Sequence, residues 1–76
     1  MRKNKHQEEL VSGIVVDCWI LDLLESPEDD SPAVAHASML EEVMVERVKG
    51  HNDWIKVYTA AGASGFCKVD YVAIGE

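Results

Sequence analysis

The sequence predicts one small all-β domain, an antiparallel barrel or sandwich, and three observations carry that reading. Apolar residues recur with period two or in short continuous runs rich in Val, Ile and aromatics. Turn signals return roughly every 8 to 12 residues. A chain of 76 residues, 47% hydrophobic and 28% charged, matches one folded core and neither two domains nor a disordered chain.

Residues 1–9 are polar and aperiodic and read as a mobile tail ahead of a body at 10–76. The first strand is expected over Gly13 to Trp19, with Ile14, Val16 and Cys18 on one face and Val15, Asp17 and Trp19 on the other. Leu21 and Leu23 form a second apolar pair, ended by the polar run Glu25 to Pro32, whose Pro and Asx chemistry makes a loop. Ala33 to Leu40 has no second apolar face of helical spacing and reads as a returning strand. Glu42 to Val48 alternates with Val43 and Val45 inward. Gly50, His51, Asn52 and Asp53 predict a tight hairpin turn, because Gly and Asn tolerate positive φ. Trp54 to Thr59 follows, with Ile55 and Val57 on one face and Trp54, Lys56 and Tyr58 on the other. Ala60 to Gly65 is a second turn, Phe66 and Cys67 enter a short strand, and Tyr71, Val72 and Ile74 close the sheet.

The formal net charge is −7, and its distribution is uneven. The tail carries a small positive excess, and no Lys or Arg occurs between His6 and Glu46. Such a body repels nucleic acid and anionic membranes, which leaves a basic partner surface or plain solubility as the use of the acidity. The uncharged stretch Ser31 to Leu40 is too short and too polar to span a bilayer. No apolar run follows the early Arg2, Lys3 and Lys5, so no export signal is read and a cytoplasmic location is expected. Cys18 and Cys67 lie far apart with no CxxC partner, which argues against a zinc ribbon and predicts free, packed thiols. No cofactor, metal site or catalytic constellation is predicted. His6, His36 and His51 fall in no zinc pattern, and Gly62 and Gly65 precede no helix that could bind phosphate.

Three segments, in order, resemble the bacterial Src-homology-3 family, SH3b. Leu21-Asp22-Leu23-Leu24-Glu25-Ser26-Pro27 resembles its early Leu-Asn-Val-Arg-Ser-Gly-Pro run. Asn52-Asp53-Trp54-Ile55-Lys56-Val57 resembles its turn and Gly-Trp-x-Lys-Val. Gly65 to Val72 resembles its closing Gly-Trp-Val-x-x-x-Tyr-Leu. The match spans residues 12–75. Leu24 and Asp22 depart from the Arg and Asn of the early run, and Lys68 stands where the eukaryotic ending has a groove-flooring Pro, so polyproline binding is not implied. The resemblance implies an SH3-like barrel of five to seven short strands that binds peptidoglycan peptides, other peptides or proteins.

Trp54, Lys56 and Tyr58, opposite Ile55 and Val57, form the first candidate binding surface, since exposed Trp and Tyr are favoured anchors. The alternative for Trp54 is that it caps the barrel end. Trp19 is a second candidate. Tyr71 reads as core, with a groove position as the alternative. Glu25, Glu28, Asp29 and Asp30 lie where this fold carries its specificity loop, able to receive Lys or Arg or simply solvated. The leading expectation is a non-enzymatic, stand-alone bacterial or phage module that binds a protein or peptide, preferably basic. The alternatives are cell-wall binding, a small acidic inhibitor of a nucleic-acid-binding protein, and a self-associating structural subunit.

Overall fold

The computed structural model describes residues 10–75; the expected tail at 1–9 lies outside them. These residues form seven strands, β1 Leu10–Val15, β2 Ile20–Leu24, β3 Ala33–Ser38, β4 Glu42–Val48, β5 His51–Thr59, β6 Ser64–Lys68 and β7 Val72–Ile74. A 3-10 turn at Val69–Tyr71 stands before the last. All pairings are antiparallel, in one sheet of order β3-β2-β6-β5-β4-β1-β7. The sheet curls into a small barrel-like body around a single core, and its two ends, β3 and β7, stay unjoined.

Alternation decides which side chains fill that core. Val15, Leu21, Leu23, Ala37, Val43, Val45, Ile55, Val57, Cys67 and Val72 are buried together. Val43, Val45, Ile55 and Val57 point inward as their period-two pattern predicts, and Val45 pairs directly with Val57 across β4 and β5. Ala33 to Ser38 is the returning strand, its small Ala35 and Ala37 facing Leu23 and Leu21.

Three expectations about the strands and turns need correction. The first strand ends at Val15, and its core residue is Val15 (0% exposed), with Ile14 facing outward at 37%. The cause lies just beyond: Asp17 adopts φ +62°, which no extended strand accepts, so the chain turns before β2 starts. The second concerns the hairpin between β4 and β5, whose turn closes at Lys49 and Gly50, with Gly50 at φ +84°. His51, Asn52 and Asp53 already belong to β5, and a bulge between Arg47 and Val48 absorbs the difference. The next turn likewise ends earlier than expected, so Gly65 is a strand residue.

Candidate functional site

The sheet has one weak seam. β2 and β6 meet only at the pair Leu24↔Phe66. Continuing that antiparallel ladder would set Asp22 against Lys68 and Ile20 against Asp70. Instead the chain winds into the 3-10 turn at Val69–Tyr71 and a cleft of about 290 Å³ opens, lined by Ile20, Leu21, Asp22, Leu24, Asp29, Trp54, Lys68, Tyr71 and both cysteines.

The Met39 N–H bond to the Trp19 carbonyl makes Ile20↔Ser38 a non-hydrogen-bonded pair. By alternation, the backbone groups of Ile20 and Asp22 then turn away from β3 and toward the cleft. The cleft therefore offers backbone donors and acceptors on one wall and aromatic side chains on the other.

Trp54 projects from β5 on the face opposite Ile55 and Val57, as its position requires, yet it is 7% exposed. Its ring lines the cleft on one side and, with Val48, Asn52 and Val69, a second depression on the other, so it forms the partition between them. The expectation of a freely exposed Trp54 is corrected: only an edge reaches solvent. Tyr71, expected in the core, is 39% exposed and lines the cleft, because the 3-10 turn rotates it outward. Asp29 is the loop carboxylate that reaches the site. It stands 3.8 Å from the Lys68 ammonium, which also lies 5.4 Å from the centre of the Trp54 ring. The ion pair is exposed and contributes little to stability, but it places a cation on the aromatic wall. Glu25, Glu28 and Asp30 are solvent-exposed in the same loop and do not line the cleft.

Lys56 and Tyr58 belong elsewhere. They share the outward face of β5 with Trp54, but Tyr58 is four residues on, roughly 13 Å along the strand. The Tyr58 hydroxyl donates a hydrogen bond to the Glu46 carboxylate at 2.5 Å, and the Lys56 ammonium lies over the Tyr58 and Phe66 rings at 5.3 and 5.5 Å. These groups satisfy one another. Trp19, in the turn before β2, is 80% exposed and lines no part of the cleft, so Trp19→Ser is expected to change stability by less than about 0.5 kcal/mol in urea unfolding. Sequence reasoning missed Ile20, Asp22 and Leu24 as wall residues and Lys68 as the resident cation. The β5–β6 register, Trp54↔Lys68, was the signal for the last.

Cys18 and Cys67 are both free and line the same cleft. Burial, with a smaller contribution from Cys18, pushes the Cys67 thiol up to about 12, and the Glu46 hydrogen bond, followed by burial, pushes Tyr58 up to about 12. Unfolded, these groups titrate near 9.0 and 10.0. Between those values and 12 the unfolded chain binds fewer protons than the folded one, so stability falls as pH rises. The thermal midpoint is expected to decline from about pH 9 upward, more gently in Cys67→Ala at the start of that window and in Tyr58→Phe toward its end. A pH-independent midpoint from 8 to 11 would contradict the assignment.

Another depression, about 490 Å³ along β1 and β7, is lined by Ser12, Gly13, Ile14 and Ala73 among others and presents no aromatic side chain. Among the described residues no group of three or more His, Cys, Asp or Glu is placed to hold a metal ion, and no helix is long and apolar enough to cross a membrane.

Fold and cleft together define a small, open-barrel β domain with an aromatic, acid-edged groove. Comparison with protein-family models, with characterised proteins and with solved structures finds no match.

Proposed function

We propose that this chain is a non-enzymatic binding module of the SH3b type that holds an extended, basic segment of a protein partner in the cleft between β2 and β6. One observation carries the reading: the cleft already holds a basic side chain, Lys68, between the Trp54 ring and the Asp29 carboxylate. A partner's Lys or Arg would take the same position, and the chain's net charge of −7 favours its approach. The outward backbone groups of Ile20 and Asp22 suit a partner in extended conformation. Ile20 and Tyr71, exposed at 57% and 39%, offer apolar area beside the acids. The resemblance of residues 12–75 to SH3b domains supports the same class of function and a bacterial or phage setting.

Selection from a random-peptide display library tests the proposal. Enriched peptides are expected to carry Lys or Arg. Tyr71→Ser and Asp29→Lys should each weaken their binding about tenfold, an effect near 1.4 kcal/mol. Lys68→Met, which removes the resident ammonium and keeps most of its stem, should strengthen binding several-fold. Peptides without basic residues, or peptides held equally by the wild type and by Tyr71→Ser and Asp29→Lys, would refute the cleft as the binding surface.

A further inference from the structure

The seam between β2 and β6 leaves strand backbone unpaired on both walls of the cleft, and its spacing defines the segment that would complete it. On β2, the N–H and C=O of Ile20 and Asp22 face the cleft, and among the described residues no turn or loop hydrogen bond uses them. On β6, the Thr59 N–H bond to the Ala63 carbonyl makes Tyr58↔Ser64 a non-hydrogen-bonded pair, so alternation turns the backbone of Phe66 and Lys68 toward β2. Phe66 pairs with Leu24, but Lys68 has no pair on β2, because the chain enters the 3-10 turn at Val69.

We infer that the partner segment adds as a short antiparallel strand against β2, in the register that β6 vacates. The inference rests on the binding role proposed for the cleft and specifies the sequence of its ligand. Polarity follows from Leu24↔Phe66, an antiparallel pair: a segment continuing that ladder runs the same way as β6, reaching Asp22 first and Ile20 two residues later. The residue opposite Asp22 takes the place the ladder would give Lys68. It lies on the outward face beside the Asp22 and Asp29 carboxylates, so it is Lys or Arg. The residue opposite Ile20 shares that face with Ile20 and Tyr71, exposed at 57% and 39%, so it is apolar. The residue between them points the other way, as buried Leu21 does, toward a floor that holds Cys18 and Cys67. Cys67 is part of the core and Cys18 packs against it, so only a small side chain fits there.

The ligand is therefore an extended basic–small–apolar triplet in N-to-C order, whose first and third residues carry the backbone hydrogen bonds. Residues ahead of the basic one turn outward, since Phe66 already fills the next register position.

Titration of the isotope-labelled full chain with synthetic peptides, followed by two-dimensional NMR, tests this. The probe is Gly-Ser-Lys-Ala-Leu-Ser-Gly with blocked termini. Its binding should shift the amide protons of Ile20 and Asp22 downfield, as new hydrogen bonds do, and leave that of Leu21, already bonded to β3, little changed. N-methylation of the Lys or of the Leu nitrogen removes a bonding N–H and should weaken binding about tenfold. N-methylation of the Ala nitrogen, which points away from β2, should change it less than about twofold. The reversed order Leu-Ala-Lys, and Phe in place of the Ala, should each bind several-fold more weakly. Equal loss from all three N-methyl peptides, equal binding of the reversed order, or a shift at Leu21 in place of Ile20 and Asp22 would overturn the inference; the cleft remains a binding surface in those cases if Tyr71→Ser still weakens the probe. A probe that shifts no amide of the cleft also overturns it, and the binding role then stands or falls on the display selection, which assumes no triplet.

Discussion

Gly65→Ala is expected to lower the unfolding free energy by about 3 kcal/mol, the upper part of the usual range for overpacking. A methyl group at Gly65 would stand 2.6 Å from Leu23 Cβ, 2.9 Å from the Leu23 carbonyl carbon and 3.0 Å from the Leu24 carbonyl oxygen. Two of these neighbours are backbone atoms of β2, so no rotamer change relieves the overlap and β2 itself must move. It would move away from β6 next to Leu24↔Phe66, the one pair that joins the strands. A domain of this size has roughly 4 to 11 kcal/mol in total, so the loss is a large part of it. Gly13 is an internal comparison. There the closest neighbours are Val72 Cγ1 at 2.6 Å and Val45 Cγ2 at 3.1 Å, both side-chain atoms that can yield, so Gly13→Ala should cost less. Gly50 and Gly62 have open space around them and carry only a positive φ, for which Ala costs about 1 kcal/mol. Urea unfolding should rank the variants Gly65, Gly13, then the two turn glycines. A Gly65→Ala midpoint within error of wild type would mean that β2 is not held against β6 at this point.

Trp54→Ala is expected to cost about 3–5 kcal/mol, the range for truncating a buried aromatic. The ring is 7% exposed and separates two depressions, so its removal merges them into a water-filled gap beneath β5. Trp54→Phe, which keeps an aromatic partition, should cost distinctly less. Ile20→Ser, at 57% exposure, should stay within about 0.5 kcal/mol. Ile20→Ser and Tyr71→Ser therefore report on binding, whereas loss of binding in Trp54→Ala reports mainly on folding. Equal midpoints for Trp54→Ala and wild type would restore Trp54 to the status of a surface anchor.

The legible parts of the fold were those governed by local alternation. Val43 and Val45 against Ile55 and Val57, and Leu21 with Leu23, declare an inward face by period alone. The first strand misled because Ile14, Val15 and Val16 form a continuous apolar run in which parity has no internal marker. Asp17 at positive φ settled where that strand stopped. The hairpin turns shifted for a related reason. Gly50 supplies the positive φ early, and the bulge at Arg47 and Val48 lets β5 begin at His51. Placing the later turn at Ala60 to Ala63 fixes Trp54 opposite Lys68, so that pairing lay within reach of the sequence. Extending the turn to Gly65 concealed it.

By itself the sequence determined an all-β domain with one core, its inward valines and leucines, its acidity and its uncharged Ser31 to Leu40 segment, because composition and period two act within a few residues of chain. Only the tertiary structure decided that β2 and β6 part beyond Leu24↔Phe66, that Trp54 is walled in while Tyr71 turns out, and that Asp29 alone among the loop acids meets Lys68. Those outcomes depend on residues more than 30 positions apart being brought to one seam. No local pattern encodes where a curled sheet fails to close its ladder.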